Sequence, residues 1–126
     1  MGADGQPLAL YHGSPSRNIK RFQGGEGAGW FSENRRDAAG YGPYLYTVNI
    51  TVANPLDASA PEGRRLYDEI RLPIYGPPGD MMQQHQRFAQ ALREKGFDGV
   101  LTVAYGQREW MVLDPAQVHI LGVERG

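Results

Sequence analysis

The chain has 126 residues, 40% hydrophobic and 21% charged, the balance expected of one soluble domain with a modest core. A formal net charge of −1 gives no electrostatic reason to expect nucleic acid or an anionic membrane as a partner. Cysteine is absent, which excludes disulfides, thiolate metal sites and a thiol nucleophile.

No apolar run approaches a membrane span, and Met1–Gln6 has no signal-peptide character. The first strong element is Leu8-Ala9-Leu10-Tyr11-His12-Gly13-Ser14, an apolar run that ends in His-Gly-Ser. It predicts a short buried strand that delivers a histidine to its open end. Gly13 there admits either a ligand close to the backbone or a positive φ. The segment 15–28 is irregular and glycine-rich, without the lysine of a phosphate-binding loop. Gly29–Ser32 predicts a second strand, and Ser32 or Asn34 is placed to cap a helix that runs to about Gly40. Tyr41 follows at the end of that helix.

Residues 44–52 give the clearest strand signal, with Tyr44, Tyr46, Val48, Ile50 and Val52 alternating onto one face. Asn54-Pro55 ends the strand. Residues 57–79 are poorly patterned, with a helix expected near 63–71 and a Pro/Gly loop at 73–79. Asp80 caps a helix over 81–95, whose Met82, His85, Phe88, Ala89 and Leu92 read as a core stripe. Gly96 stops it. Strands at 97–103, 109–113 and 118–123 then form a meander, so residues 1–126 read as a single α+β domain.

Two polar features could carry chemistry. His12 stands at a strand end, and Glu109 opens a strand whose following residues are apolar. His12, His85 and His119 have no metal-ligand spacing, so no metal is expected. Gly13-Ser14 lacks the frame of a serine nucleophile elbow.

Three separated stretches together resemble the ADP-ribosyltransferases, in the branch shared by diphtheria toxin and the poly(ADP-ribose) polymerases. They are Tyr11-His12-Gly13-Ser14; Gly29-Trp30-Phe31-Ser32 with Arg36-Asp37-Ala38-Ala39-Gly40-Tyr41; and Arg108-Glu109-Trp110 through Asp114-Pro115-Ala116-Gln117-Val118. Asp4-Gly5-Gln6-Pro7-Leu8 before the first stretch looks most like the small domains of bacterial and phage polyvalent proteins. The resemblance covers roughly 10–56 and 88–123. It implies two small, mostly antiparallel sheets that form an NAD cleft with flanking helices.

What the resemblance implies for function is transfer of single ADP-ribose units from NAD to an acceptor macromolecule, a protein by preference, with release of nicotinamide. NAD is then a substrate, no metal takes part, and the setting is the cytoplasm of the producer or of a target cell. Carried over residue by residue, His12 bonds a ribose hydroxyl, the Gly13 backbone holds the nicotinamide amide, and Ser14 lies beside it. Asn18 faces the adenosine side, Trp30 and Phe31 stand on the cofactor side, and Tyr41 stacks on nicotinamide. Glu109 engages the 2′-hydroxyl of the nicotinamide ribose; with His12 and Tyr41 it forms the catalytic set. Gln107, two residues earlier, faces the acceptor and favours an uncharged one over arginine.

Trp30 replaces the family's usual tyrosine, and Ala38 replaces a serine of the polymerases. The alternatives are NAD hydrolysis with water as acceptor, and a non-catalytic binding module that keeps the fold.

Overall fold

The structure, a computed structural model, describes residues 8–17, 30–104 and 106–125. Seven strands and three α-helices follow in the order β1 (Leu8–Ser14), β2 (Phe31–Ser32), α1 (Arg35–Ala39), β3 (Tyr44–Ile50), β4 (Pro55–Asp57), α2 (Pro61–Tyr75), α3 (Met81–Glu94), β5 (Gly99–Ala104), β6 (Gln107–Val112) and β7 (Val118–Arg125). A 3₁₀ turn at Pro115–Gln117 precedes the last strand. This is the mixed α+β architecture expected. No described helix is long and apolar enough to cross a membrane.

The two-sheet expectation is corrected. All the strands join one sheet in the order β4-β5-β6-β2-β1-β3-β7, antiparallel except for β4 with β5. The two halves are spliced by β2, a strand of only two residues, which pairs Tyr11 with Ser32 on one side and Glu109 with Ser32 on the other. The expected meander is corrected too. β5 and β6 do form a hairpin, turned at Gly106 with φ +79°, but β7 leaves β6 and pairs with β3 at the far edge. Alternation specifies a strand and its buried face; it does not name the neighbour.

One apolar cluster contains Leu10 and Phe31, Tyr46, Val48, Ile50 and Val52 of the β1–β3 half, together with Leu101, Trp110 and Val112 of the β5–β6 half. Residues from both halves meet in it, so the core runs continuously across the splice. The second cluster packs α2 and α3 onto Leu56, Val100, Met111 and Leu113.

α2 is longer than its sequence suggests and includes Pro73. An interior proline removes a hydrogen bond, and burial must compensate for it. Ile74 is buried just beyond it, and the Tyr75 hydroxyl bonds His85 Nδ1 at 2.9 Å. Gln84 of α3 donates through Nε2 to the carbonyls of Ile74 and Pro77, at 3.1 and 3.0 Å, and so ties down the end of α2.

That role explains a further correction. The buried stripe of α3 is Gln84, Phe88, Ala89 and Leu92, whereas Met82 is 66% exposed. At about 100° per residue, Met82 lies about 120° around the helix from Phe88. The caps agree with expectation: Asn34 and Asp80 accept from the backbone N–H groups of Asp37 and Gln83, at 2.9 and 3.0 Å.

Gln117 is the polar knot of the fold. Its Oε1 accepts from Leu113 N and Asp114 N, and its Nε2 donates to Thr51 O and Asp98 O. Gln117→Ala would remove four hydrogen bonds to the backbone at the junction of three strand ends, two of them part-buried. We expect a loss of about 1–3 kcal/mol, read as an earlier denaturant midpoint with unchanged slope.

Candidate functional site

A cleft of about 360 Å³ opens where β1 and β6 flank β2. Tyr11, Ser32 and Glu109 line it from three neighbouring strands and stand in one row, because Ser32 is paired with both of the others. His12 and Gly13 follow on β1, Trp30 precedes β2, and Ala38 and Tyr41 come from α1 and its C-terminal side. The volume falls within the usual range for small-molecule sites, and the wall is mostly apolar, with the rings of Tyr11, Trp30 and Tyr41 beside a few polar groups.

His12 Nδ1 donates to the carbonyl of Trp30 at 3.2 Å, which leaves Nε2 as the acceptor nitrogen of a neutral ring. Its ring packs against Phe31 at 5.5 Å between centroids. Burial pushes the imidazole pKa down, and the Trp30 carbonyl opposes this only in part. His12 is therefore a neutral hydrogen-bonding group near pH 7.

Glu109 is held from both flanks. Glu33 accepts from Arg108 Nε at 3.0 Å and from Trp110 Nε1 at 2.6 Å, and its own N–H donates to the Arg108 carbonyl. The residues on either side of Glu109 are thus pinned to the chain that leads into α1. Burial raises the Glu109 pKa, and the charge of Asp37 and a hydrogen bond with it raise it further. Oδ2 of Asp37 is buried and, among the described residues, receives no donor. Two carboxylates have no hydrogen between them, so the contact becomes a bond when one of the pair holds a proton.

The structure brings His12, Gly13, Trp30, Tyr41 and Glu109 to one cavity. Tyr41 is 63% exposed, an aromatic ring at the cleft that a stacked ligand would cover. Two other expected contacts do not line it. Phe31 is 1% exposed and lies in the core beneath His12. Ser14 is buried, its hydroxyl accepting from Ser16 N at 3.1 Å in a local turn. Gln107 sits at the start of β6 opposite Ala104, outside the cavity wall. Asn18 lies outside the described residues.

Asp37 carries no role in the sequence reading. An acid in the first turn of a helix reads as a partner for the helix dipole, and nothing in the sequence aims it at Glu109. Among the described residues no group of three or more His, Asp or Glu is arranged to hold a metal ion.

The model of a family described as "ADP-Ribosyltransferase in polyvalent proteins" matches residues 2–123. The chain belongs to that family. No curated protein matches this ADP-ribosyltransferase-family chain. Two solved structures share its fold. One is a chain of the M. tuberculosis MbcT–MbcA toxin–antitoxin complex, 17% identical, with a TM-score of 0.57 over 97% of this chain and 85% of that one. The other is an anti-CRISPR protein, also 17% identical, with a TM-score of 0.54 over 91% of this chain and 96% of that one. Identity this low carries the fold of the family member and nothing about partners or targets.

Proposed function

We propose that the chain is an NAD-dependent mono-ADP-ribosyltransferase. The observation that carries the reading is the convergence of His12, Gly13, Trp30, Tyr41 and Glu109, from distant parts of the sequence, on one aromatic-walled cleft. The residues fit NAD chemically. Tyr41 and Trp30 suit a cationic pyridinium ring, a contact worth roughly 0.5–2 kcal/mol. The Gly13 backbone offers hydrogen bonds to its amide. His12 Nε2 suits a ribose hydroxyl.

In the proposed reaction the carbon–nitrogen bond to nicotinamide breaks and its electron pair leaves with the ring. The ribose carbon gains positive charge as the acceptor's nucleophile bonds to it, and the acceptor's proton is released. Glu109, ionised beside the 2′-hydroxyl, stabilises that charge. Incubation with NAD labelled in its adenosine half tests the reading. Nicotinamide release and label on an acceptor are expected; no release under any condition would leave only the silent module.

Gln107 is proposed to face the acceptor. Its place two residues before Glu109, at the strand mouth, supports this. If Gln107→Glu leaves both the rate and the modified residue type unchanged, the role is dropped.

The carboxyl pair predicts the pH dependence. Glu109 acts ionised, so activity falls as pH drops through its raised pKa. Replacing Asp37 by Asn removes the neighbouring charge and introduces an N–H donor in its place. The acid limb of nicotinamide release should then move to lower pH, with the plateau rate changed only a few-fold. A purely structural Asp37 would leave the limb where it is.

A further inference from the structure

Glu109 and Trp30 each border a second cavity, an open groove of about 740 Å³ between the α2–α3 helices and the end of the β5–β6 hairpin. A molecule lying in this groove touches the cleft across those two side chains. Two of the exposed large apolar side chains among the described residues, Met81 (65%) and Val103 (44%), line it. Exposed apolar surface gathered in one depression marks a recognition site more often than scattered side chains do.

The fixed charges narrow the occupant. Arg64 pairs with Asp68 along α2 at 3.2 Å. Arg71 donates to the Tyr67 hydroxyl at 2.8 Å and lies over the Tyr75 ring, 4.7 Å from its centroid. Against these two cations stand Asp68 and Glu109, so the wall is mixed rather than basic. A polyanion needs an excess of cations. An extended protein segment suits alternating apolar and ionic contacts, and a wall of two cations and two anions selects no net charge on the side chain presented to it.

We propose that this groove seats the acceptor: an extended segment of a protein, which presents an uncharged nucleophile past Glu109 to the ribose carbon in the cleft. The proposal rests on the reading of the cleft as an NAD site. The nucleophile bonds to the ribose carbon as nicotinamide leaves with the bonding pair, and the nucleophile's proton passes to solvent.

Met81→Glu and Val103→Glu alter exposed positions outside the NAD cleft, so both variants should fold. Each is incubated with NAD biotinylated on the adenine and a bacterial cytosolic extract. Nicotinamide release without extract, and protease-sensitive biotin label with extract, are both measured. We expect release within two-fold of wild type and protein labelling reduced ten-fold or more. Labelling equal to wild type in both variants overturns the groove, as does label that survives protease and yields to nuclease. Release that falls in parallel with labelling also overturns it, because the groove would then belong to the NAD site. Wild-type release with no labelled macromolecule overturns it in favour of water as acceptor. Wild type that releases no nicotinamide fails the underlying reading of the cleft, and the groove's role falls with it.

Discussion

Glu109→Gln is expected to slow nicotinamide release by about 100- to 1000-fold, the cost of removing one preorganised electrostatic group from a charged transition state. The glutamine keeps the size of the side chain and loses its negative charge. NAD affinity should change only a few-fold, because the lost interaction belongs to the transition state and not to the bound substrate. Calorimetric titration with NAD and chromatographic assay of nicotinamide separate the two. Equal release by wild type and variant would remove Glu109 from the chemistry.

Stability gives an independent check with a definite sign. The folded-state pKa of Glu109 is raised, first by burial and then by Asp37. A carboxyl whose folded pKa exceeds its unfolded value stabilises the fold when protonated, and that contribution is lost as pH rises through the folded pKa. At neutral pH ionised Glu109 is therefore a strain on the fold, and Glu109→Gln should melt at the same temperature as wild type or higher. A variant that is inactive and no less stable shows a site tuned for chemistry at the expense of the fold. His12 acts in the opposite sense in acid. Its lowered pKa favours the neutral ring, so the stability it contributes is lost as pH falls through the folded value.

How far the sequence reveals this arrangement depends on the scale of the interaction. β3 is legible because its alternation is local: Tyr46, Val48, Ile50 and Val52 are all buried. The partner of β7 is not legible, because a strand's periodicity says nothing about which edge it joins. The extent of α2 is hidden by Pro73, whose local penalty is offset by the distant side chains of Gln84 and His85.

The cleft divides in the same way. His12, Trp30, Tyr41 and Glu109 stand out through the spacing and order of short motifs, each attached to a recognisable element end. Asp37 does not, because its contact with Glu109 depends on how α1 is carried by a two-residue strand onto β6. Met82 fits an apolar stripe by sequence and is left outside, because Gln84 occupies the buried line that closes α2.

Gly13→Ala should be the most damaging single methyl group in the site. The sequence offers two reasons for glycine there, a positive φ or room for a ligand. Among the described residues only Gly96 and Gly106 have positive φ, so the first reason does not apply. The space is also already used. A Cβ on Gly13 would lie 2.0 Å from the carbonyl oxygen of Ala38 and 3.0 Å from its carbon. That same oxygen accepts the N–H of Tyr41 at 3.1 Å. The missing side chain therefore lets the C-terminal end of α1 sit against β1, and that contact sets the positions of Ala38 and Tyr41 in the cleft wall. An alanine must push the helix end outward and carry Tyr41 with it. We expect about 1–3 kcal/mol of lost stability from overpacking, and a fall in melting temperature of roughly 5–10 °C. Because the stacking ring moves, nicotinamide release should fall by more than ten-fold even at temperatures where the variant is folded. Gly122→Ala on β7, where a Cβ would meet nothing within 4 Å, is the matched control and should change neither quantity measurably. If Gly13→Ala melts and turns over like that control, the close approach of α1 to β1 is not what shapes the cleft.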